Sequence, residues 1–164
     1  MSEAPGPMPP RPLPEPEPLA RPYWDSLRDG AMRLQRCAGC ERFVFYPRAV
    51  CPHCGGRDLS WQRVSGRGRL HSFCIPHRHP SPAFQPDLPY VVVLVELDEG
   101  VRLMTRLIGV EPDPEKLMPL VDEPVEVVYE PASDEVTLPK FKPARPRADE
   151  RPGVDAGPRT EFEG

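Results

Sequence analysis

Four cysteines fall as two Cys-x-x-Cys pairs, Cys37-Ala38-Gly39-Cys40 and Cys51-Pro52-His53-Cys54, with ten residues between them. Each tight knuckle aims both of its sulfurs at one point, so the two knuckles can set four thiolates tetrahedrally around a single ion. Disulfide pairing would call instead for an oxidising compartment and normally for a secretory leader. The N-terminus is Pro-rich and polar, with no continuous apolar stretch of that kind. The spacing therefore predicts a structural Zn2+ held by Cys37, Cys40, Cys51 and Cys54 in a zinc ribbon. Tetrahedral thiolate sites accept iron as well, and nothing else in the chain points to redox work. Cysteine at all four positions leaves no open coordination site for water or substrate, which a catalytic metal needs. The ion is expected to serve folding, in a segment too small to bury a core of its own. His53 lies inside a knuckle already closed by four sulfurs and is expected beside the metal or at the surface.

Elsewhere the chemistry is sparse. Cys74 lies mid-strand with Leu70 and Ser72 on its face, the pattern of a small buried side chain rather than of a nucleophile with a base. No carboxylate pair, Ser-His-Asp arrangement or open metal site emerges, so no catalytic residue is assigned. The longest irregular stretch, His77-Arg78-His79-Pro80 through Phe84 to Pro89, sits where binding residues concentrate on a rigid barrel. Arg69, His77, Arg78, His79, Phe84 and Tyr90 are the candidate contacts for a partner or ligand.

The elements that must position these residues follow from the pattern along the chain. Of 26 prolines, nine lie between Pro5 and Pro22 and five between Pro139 and Pro158. Residues 1–20 and 144–164 read as disordered Pro-rich tails, because such sequence buries too little apolar surface to offset ordering. Arg21-Pro22-Tyr23-Trp24-Asp25-Ser26-Leu27-Arg28 reads as a short helix with Pro in its first turn and Gly30 as its stop. Tyr23, Trp24 and Leu27 form one apolar side. A helix this short is unstable alone and must dock, on its own domain or on a partner. Residues 21–59 make up this docking helix and the zinc ribbon, with a strand at Met32–Arg36 and with Phe43, Phe45 and Tyr46 shielding the metal.

Residues 60–143 read as a small β-barrel. Trp61–Ile75 is one long strand bent at Gly66 and Gly68, and Tyr90–Leu97, Val101–Ile108, Val125–Glu130 and Val136–Phe141 supply four more. Five strands with a bent first one suggest an OB-like Greek-key barrel. The fold class is thus mainly β, a short helix and ribbon followed by a five-stranded barrel. No apolar run approaches the roughly 18 residues of a membrane span. With four of five cysteines committed to metal, a reducing, cytoplasmic setting fits best.

Net charge is −4, unevenly placed. Between Ala31 and Leu70 eight arginines face only Glu41 and Asp58, while between Asp87 and Glu135 thirteen acidic residues face Arg102, Arg106 and Lys116. Zinc ribbons and OB-folds both bind nucleic acid, which makes that the alternative function. The barrel strands carry Val, Leu, Glu and Thr rather than aromatic platforms, and an acidic barrel repels phosphates.

Taken together these stretches resemble the zinc-ribbon plus OB-fold family first catalogued as a domain of unknown function and associated with acyl-CoA metabolism. The likeness is carried by Tyr23-Trp24, Leu34-Gln35-Arg36-Cys37-Ala38-Gly39-Cys40, Tyr46-Pro47-Arg48, Cys51-Pro52-His53-Cys54-Gly55 and Ser65-Gly66-Arg67-Gly68. It continues through Leu88-Pro89-Tyr90, Val95-Glu96-Leu97-Asp98-Glu99-Gly100-Val101, Pro124-Val125-Glu126-Val127 and Leu138-Pro139-Lys140-Phe141. The family usually has a glycine-containing turn before its Pro-Val-Glu-Val strand, where this chain has Leu120-Val121-Asp122-Glu123. The resemblance implies a rubredoxin-like ribbon and a non-catalytic accessory subunit of a thiolase-like enzyme, aldolase or acyl-CoA hydratase. In some family complexes the OB-fold contributes to the acyl-CoA path, and the arginines here are compatible with coenzyme A phosphates.

Overall fold

A computed structural model describes residues 10–145. Helix α1 (Arg21–Arg28) leads, through Gly30 at φ +67°, into a three-stranded antiparallel sheet ordered β2-β1-β3. Its strands are β1 (Arg33–Cys37), β2 (Phe43–Val44) and β3 (Leu59–Arg63). A closed barrel follows, ordered β4-β5-β6-β8-β7. It comprises β4 (Arg67–Cys74), β5 (Val91–Leu97), β6 (Arg102–Leu107), β7 (Pro124–Pro131) and β8 (Thr137–Pro143). Closure comes from Arg67, Gly68 and Arg69 of β4 facing Glu126, Val125 and Pro124 of β7. A short helix α2 (Pro114–Leu117) connects β6 to β7, and Pro82–Asp87 forms a 3-10 turn between β4 and β5. No helix among the described residues is long and apolar enough to cross a membrane.

The mainly β architecture with a five-stranded barrel agrees with the sequence reading, but the long strand does not. Trp61–Ile75 is two strands: β3 pairs with β1 of the ribbon, from Arg33↔Arg63 to Cys37↔Leu59, and only β4 belongs to the barrel. Gly66 is the switch, at φ +69° and so close to Val127 that an added Cβ would lie 2.5 Å from Val127 Cγ1. Glycine is required there both by conformation and by space.

Strand β5 buries Val91, Val93, Val95 and Leu97 in strict alternation. These side chains meet Leu70, Leu103, Leu107, Val125 and Phe141 in the barrel core. The same cluster continues into the helix and ribbon through Tyr23, Leu27, Met32 and Leu34, so ribbon and barrel share one core. Of the two docking alternatives for α1, the helix packs on its own domain. Tyr23 is 2% exposed and Leu27 0%, both used inside the chain, and of the three only Trp24 keeps accessible surface. Ser26 fastens the helix: its buried hydroxyl donates to Tyr23 O at 2.6 Å and accepts from Arg33 N–H at 3.0 Å.

A bulge decides the face of Cys74. The β4–β5 register shifts between Leu70 and Ser72, so that Phe73, and not Ser72, follows Leu70 onto the covered side. Cys74 is therefore exposed, contrary to the expectation of a buried thiol. The Pro-rich ends fall mostly outside the described residues. Within them, most of residues 10–19 are exposed, while Ala20 is 1% exposed and Arg11 reaches Asp87.

Candidate metal centre and aromatic groove

The two knuckles are built alike. Glu41 N–H donates to Cys37 O at 2.8 Å and Cys37 N–H to Arg42 O at 3.0 Å. In the second knuckle Gly55 N–H donates to Cys51 O at 2.9 Å and Cys51 N–H to Gly56 O at 2.8 Å. The fifth residue of each turn is left-handed: Gly55 at φ +76°, and Glu41 at φ +59° in the position where glycine is favoured. The matching turns bring all four Sγ atoms within 4.8 Å of one another, with Cys37–Cys54 at 3.5 Å and Cys40–Cys51 at 3.6 Å. A tetrahedral zinc with Zn–S of about 2.3 Å separates its sulfurs by about 3.8 Å, so the donor set fits such an ion. Space is tight around it, since a Cβ on Gly56 would lie 3.3 Å from Cys54 Sγ and 3.4 Å from Cys37 Sγ. Cys37 and Cys51 are buried, Cys40 half-buried and Cys54 exposed, which places the centre at the molecular edge. Among the described residues the cluster contains only these four ligands.

The packing beside the sulfurs departs from expectation. Val44 and Leu59 cover Cys37 and Cys51, whereas Phe43 and Phe45 turn to the main core. Phe45 and Tyr46 meet Tyr23 edge-on, at centroid distances of 5.5 and 6.0 Å. Trp24 Nε1 donates to Tyr46 Oη at 2.9 Å. Burial, with smaller contributions from Tyr46 and Tyr129, pushes the Tyr23 phenol above its ordinary range, so it stays neutral.

These aromatics form one wall of an open groove of about 770 Å³. Strands β5, β6 and β8 line it too, through Val92, Met104, Thr105, Pro139 and Lys140, with Tyr90 just before β5. Met104 is 74% exposed there, although it lies in a strand. Two of its lining residues converge on Asp87, which accepts from Arg106 at 2.7 Å and from Arg11 at 2.6 Å. The Arg106 hydrogen bond is the main reason its carboxyl is held below the usual carboxylate range; partial burial opposes the shift and Arg11 adds to it. Arg106 also lies over the Tyr90 ring at 3.7 Å, and His79 packs on Phe84 at 4.5 Å.

Of the candidate contacts, the fold thus gathers His79, Phe84, Tyr90, Tyr23 and Trp24 onto this groove. His77 and Arg78 are exposed outside it. Arg69 lies elsewhere, in a polar pocket of about 330 Å³ with His71, Glu96 and Arg102, and donates to Asp122 O at 2.9 Å. Sequence reasoning missed Arg11, Asp87 and Arg106. Arg106 alternates outward along β6, which was a readable signal, but its pairing to Asp87, 19 positions away, and that of Asp87 to Arg11, 76 positions away, were not.

Residues 24–60 match the ChsH2 rubredoxin-like zinc ribbon domain and residues 61–130 the ChsH2 C-terminal OB-fold domain. A probable enoyl-CoA hydratase alpha subunit of Thermomonospora curvata is 40% identical over 126 residues, which is 76% of this chain but 37% of that protein. The chain therefore spans little more than a third of that relative. A DUF35 domain-containing scaffold protein of Methanothermobacter thermautotrophicus is 33% identical over 108 residues, 65% of this chain and 80% of that one. Among solved structures, a chain of the Ltp2-ChsH2(DUF35) aldolase superposes with a TM-score of 0.68 at 36% identity, covering 80% of this chain and 98% of that chain. With the knuckle geometry, the closed barrel and these likenesses in hand, the chain belongs to the DUF35 family of proteins that join a rubredoxin-like zinc ribbon to an OB-fold.

Proposed function

We propose that this chain is a non-catalytic accessory subunit of an acyl-CoA-processing enzyme, either thiolase-like, such as an aldolase, or of the hydratase type. The observation that carries the reading is the likeness, at 36% identity over 98% of its length, to a chain of an aldolase described as Ltp2-ChsH2(DUF35). Relatives described as scaffold proteins support the non-catalytic role. The four-cysteine centre is read as a structural zinc site. It would supply folding energy to the knuckles, whose own apolar cover is little more than Val44 and Leu59.

The groove is the part of the surface we assign to the acyl-CoA path. Its volume falls in the range of small-molecule sites, and its aromatic and aliphatic walls suit an acyl or pantetheine chain. Arg106 and Lys140 supply cations at its rim, though both already have carboxylate partners, so phosphate contact there requires exchange of those partners. The exposed Met104 and the partly covered Trp24 offer adaptable apolar contact to an enzyme seated over it.

The test is affinity capture of the full chain from its native extract at moderate salt, with metal analysis of the same preparation. Recovery of a thiolase-like protein or an acyl-CoA hydratase, with zinc equimolar to the chain, is expected. That enzyme should turn over faster with the chain than without it. Recovery of nucleic acid or ribosomal proteins in place of an acyl-CoA enzyme overturns the reading.

A further inference from the structure

Arg11, Pro12, Leu13 and Pro14 form part of the groove's lining. From Pro5 to Pro18 proline recurs at almost every second position, and the four residues in the groove read Arg-Pro-Leu-Pro. Proline fixes its own φ and pushes the residue before it into the extended region, so Arg11–Pro14 is restricted to polyproline II-like conformations before it docks. Little further entropy is lost when such a segment is immobilised.

The surface it meets has features that recognise such segments, aromatic rings and a carboxylate that takes the arginine. Asp87 stands between two guanidinium groups, its Oδ1 accepting from Arg11 and its Oδ2 from Arg106. Arg11 also lies over the Phe84 ring at 5.7 Å. Leu13, still 38% exposed, faces the same trough. We infer that this side of the groove is a recognition site for arginine-bearing polyproline segments, occupied in cis by Arg11–Pro14, a strap held by the Arg11–Asp87 ion pair.

A Pro-rich segment of another protein gains this site only as Arg11–Pro14 leaves it.

The experiment titrates a fluorescein-labelled peptide of residues 5–18 against the full chain, wild type and Arg11→Ala, with anisotropy as readout. Arg11 is half-exposed, so its replacement does not endanger folding. A tethered strap competes at about millimolar effective concentration, and loosening it should let the Arg11→Ala chain bind the peptide roughly fivefold more tightly than wild type. A peptide carrying the same Arg11→Ala change should bind that chain roughly tenfold more weakly, through loss of the charge-assisted contact to Asp87. Absence of binding to the Arg11→Ala chain at about millimolar peptide, or equal binding of the two peptides, overturns the inference. The assay contains neither acyl-CoA nor enzyme, so its failure leaves the accessory-subunit reading untouched, and failure of that reading leaves peptide recognition to be judged here.

Discussion

The Tyr129 hydroxyl, on β7 of the barrel, accepts a hydrogen bond from the backbone N–H of Met32, at the start of the ribbon, at 2.9 Å. The same ring lies 3.9 Å from where a Cβ on Gly30 would be, and its hydroxyl 3.8 Å from the equivalent point on Gly66. Tyr129 is thus wedged between the two glycine connections that lead into and out of the ribbon sheet. This one side chain helps explain why ribbon and barrel form a single packed body rather than two beads.

Tyr129→Phe keeps the ring and removes only the acceptor, leaving a half-buried N–H without its protein partner. A loss of about 1–2 kcal/mol is expected, read as a lower denaturation midpoint with an unchanged m-value. Metal content should not change, because the cysteine knuckles are closed by their own backbone hydrogen bonds.

Gly68 is fixed by close approach. A Cβ there would stand 2.2 Å from Glu96 O and 2.8 Å from Leu97 Cα, both backbone atoms of the paired strand that cannot swing away. Gly68→Ala is expected to cost at least about 3 kcal/mol, or to prevent barrel closure, seen as lost thermal cooperativity.

Asp122 occupies φ +65° in the turn before β7, the place where the family sequence pattern has a glycine-containing turn. Its N–H donates to Leu70 O at 2.8 Å, so the left-handed residue also helps to tie β4 to β7. Asp122→Gly should be neutral or slightly stabilising, while Asp122→Val should lose about 1–2 kcal/mol in a denaturant titration.

Asp87 gives the chain an acid-sensitive contact. Its pKa is held below the ordinary carboxylate value, chiefly by the hydrogen bond from Arg106, so the contribution is complete above about pH 4 and disappears as pH falls through the depressed folded value. Wild type should therefore melt above Asp87→Asn at pH 6, and the two melting curves should converge toward pH 2. A difference in Tm that does not shrink on acidification would contradict the assignment.

Cys37→Ser and Cys51→Ser each remove a buried ligand and should abolish stoichiometric metal binding and melt the ribbon, with the four-sulfur cover of Val44 and Leu59 too small to hold it. Cys74→Ser, at the exposed end of β4, should leave metal content and Tm unchanged. Retention of equimolar metal in Cys37→Ser would refute the ligand set.

Much of this protein was legible from local pattern. The two Cys-x-x-Cys pairs determine the knuckles because their spacing and their glycines act within five or six residues. The β-branched apolar run of β5 announces a strand by itself, and Pro22 and Gly30 bracket α1. What the sequence left undecided depended on distant partners. The pairing that sends β3 to the ribbon and β4 to the barrel turns on Gly66 meeting Val127, and the face of Cys74 on a single bulge that reverses parity. The groove depends on Arg11, Asp87 and Arg106 converging from three separate parts of the chain. Periodicity and spacing report which face of an element is apolar. Only closure of the barrel, which fixes register and brings strand faces together, decides which residues share a site.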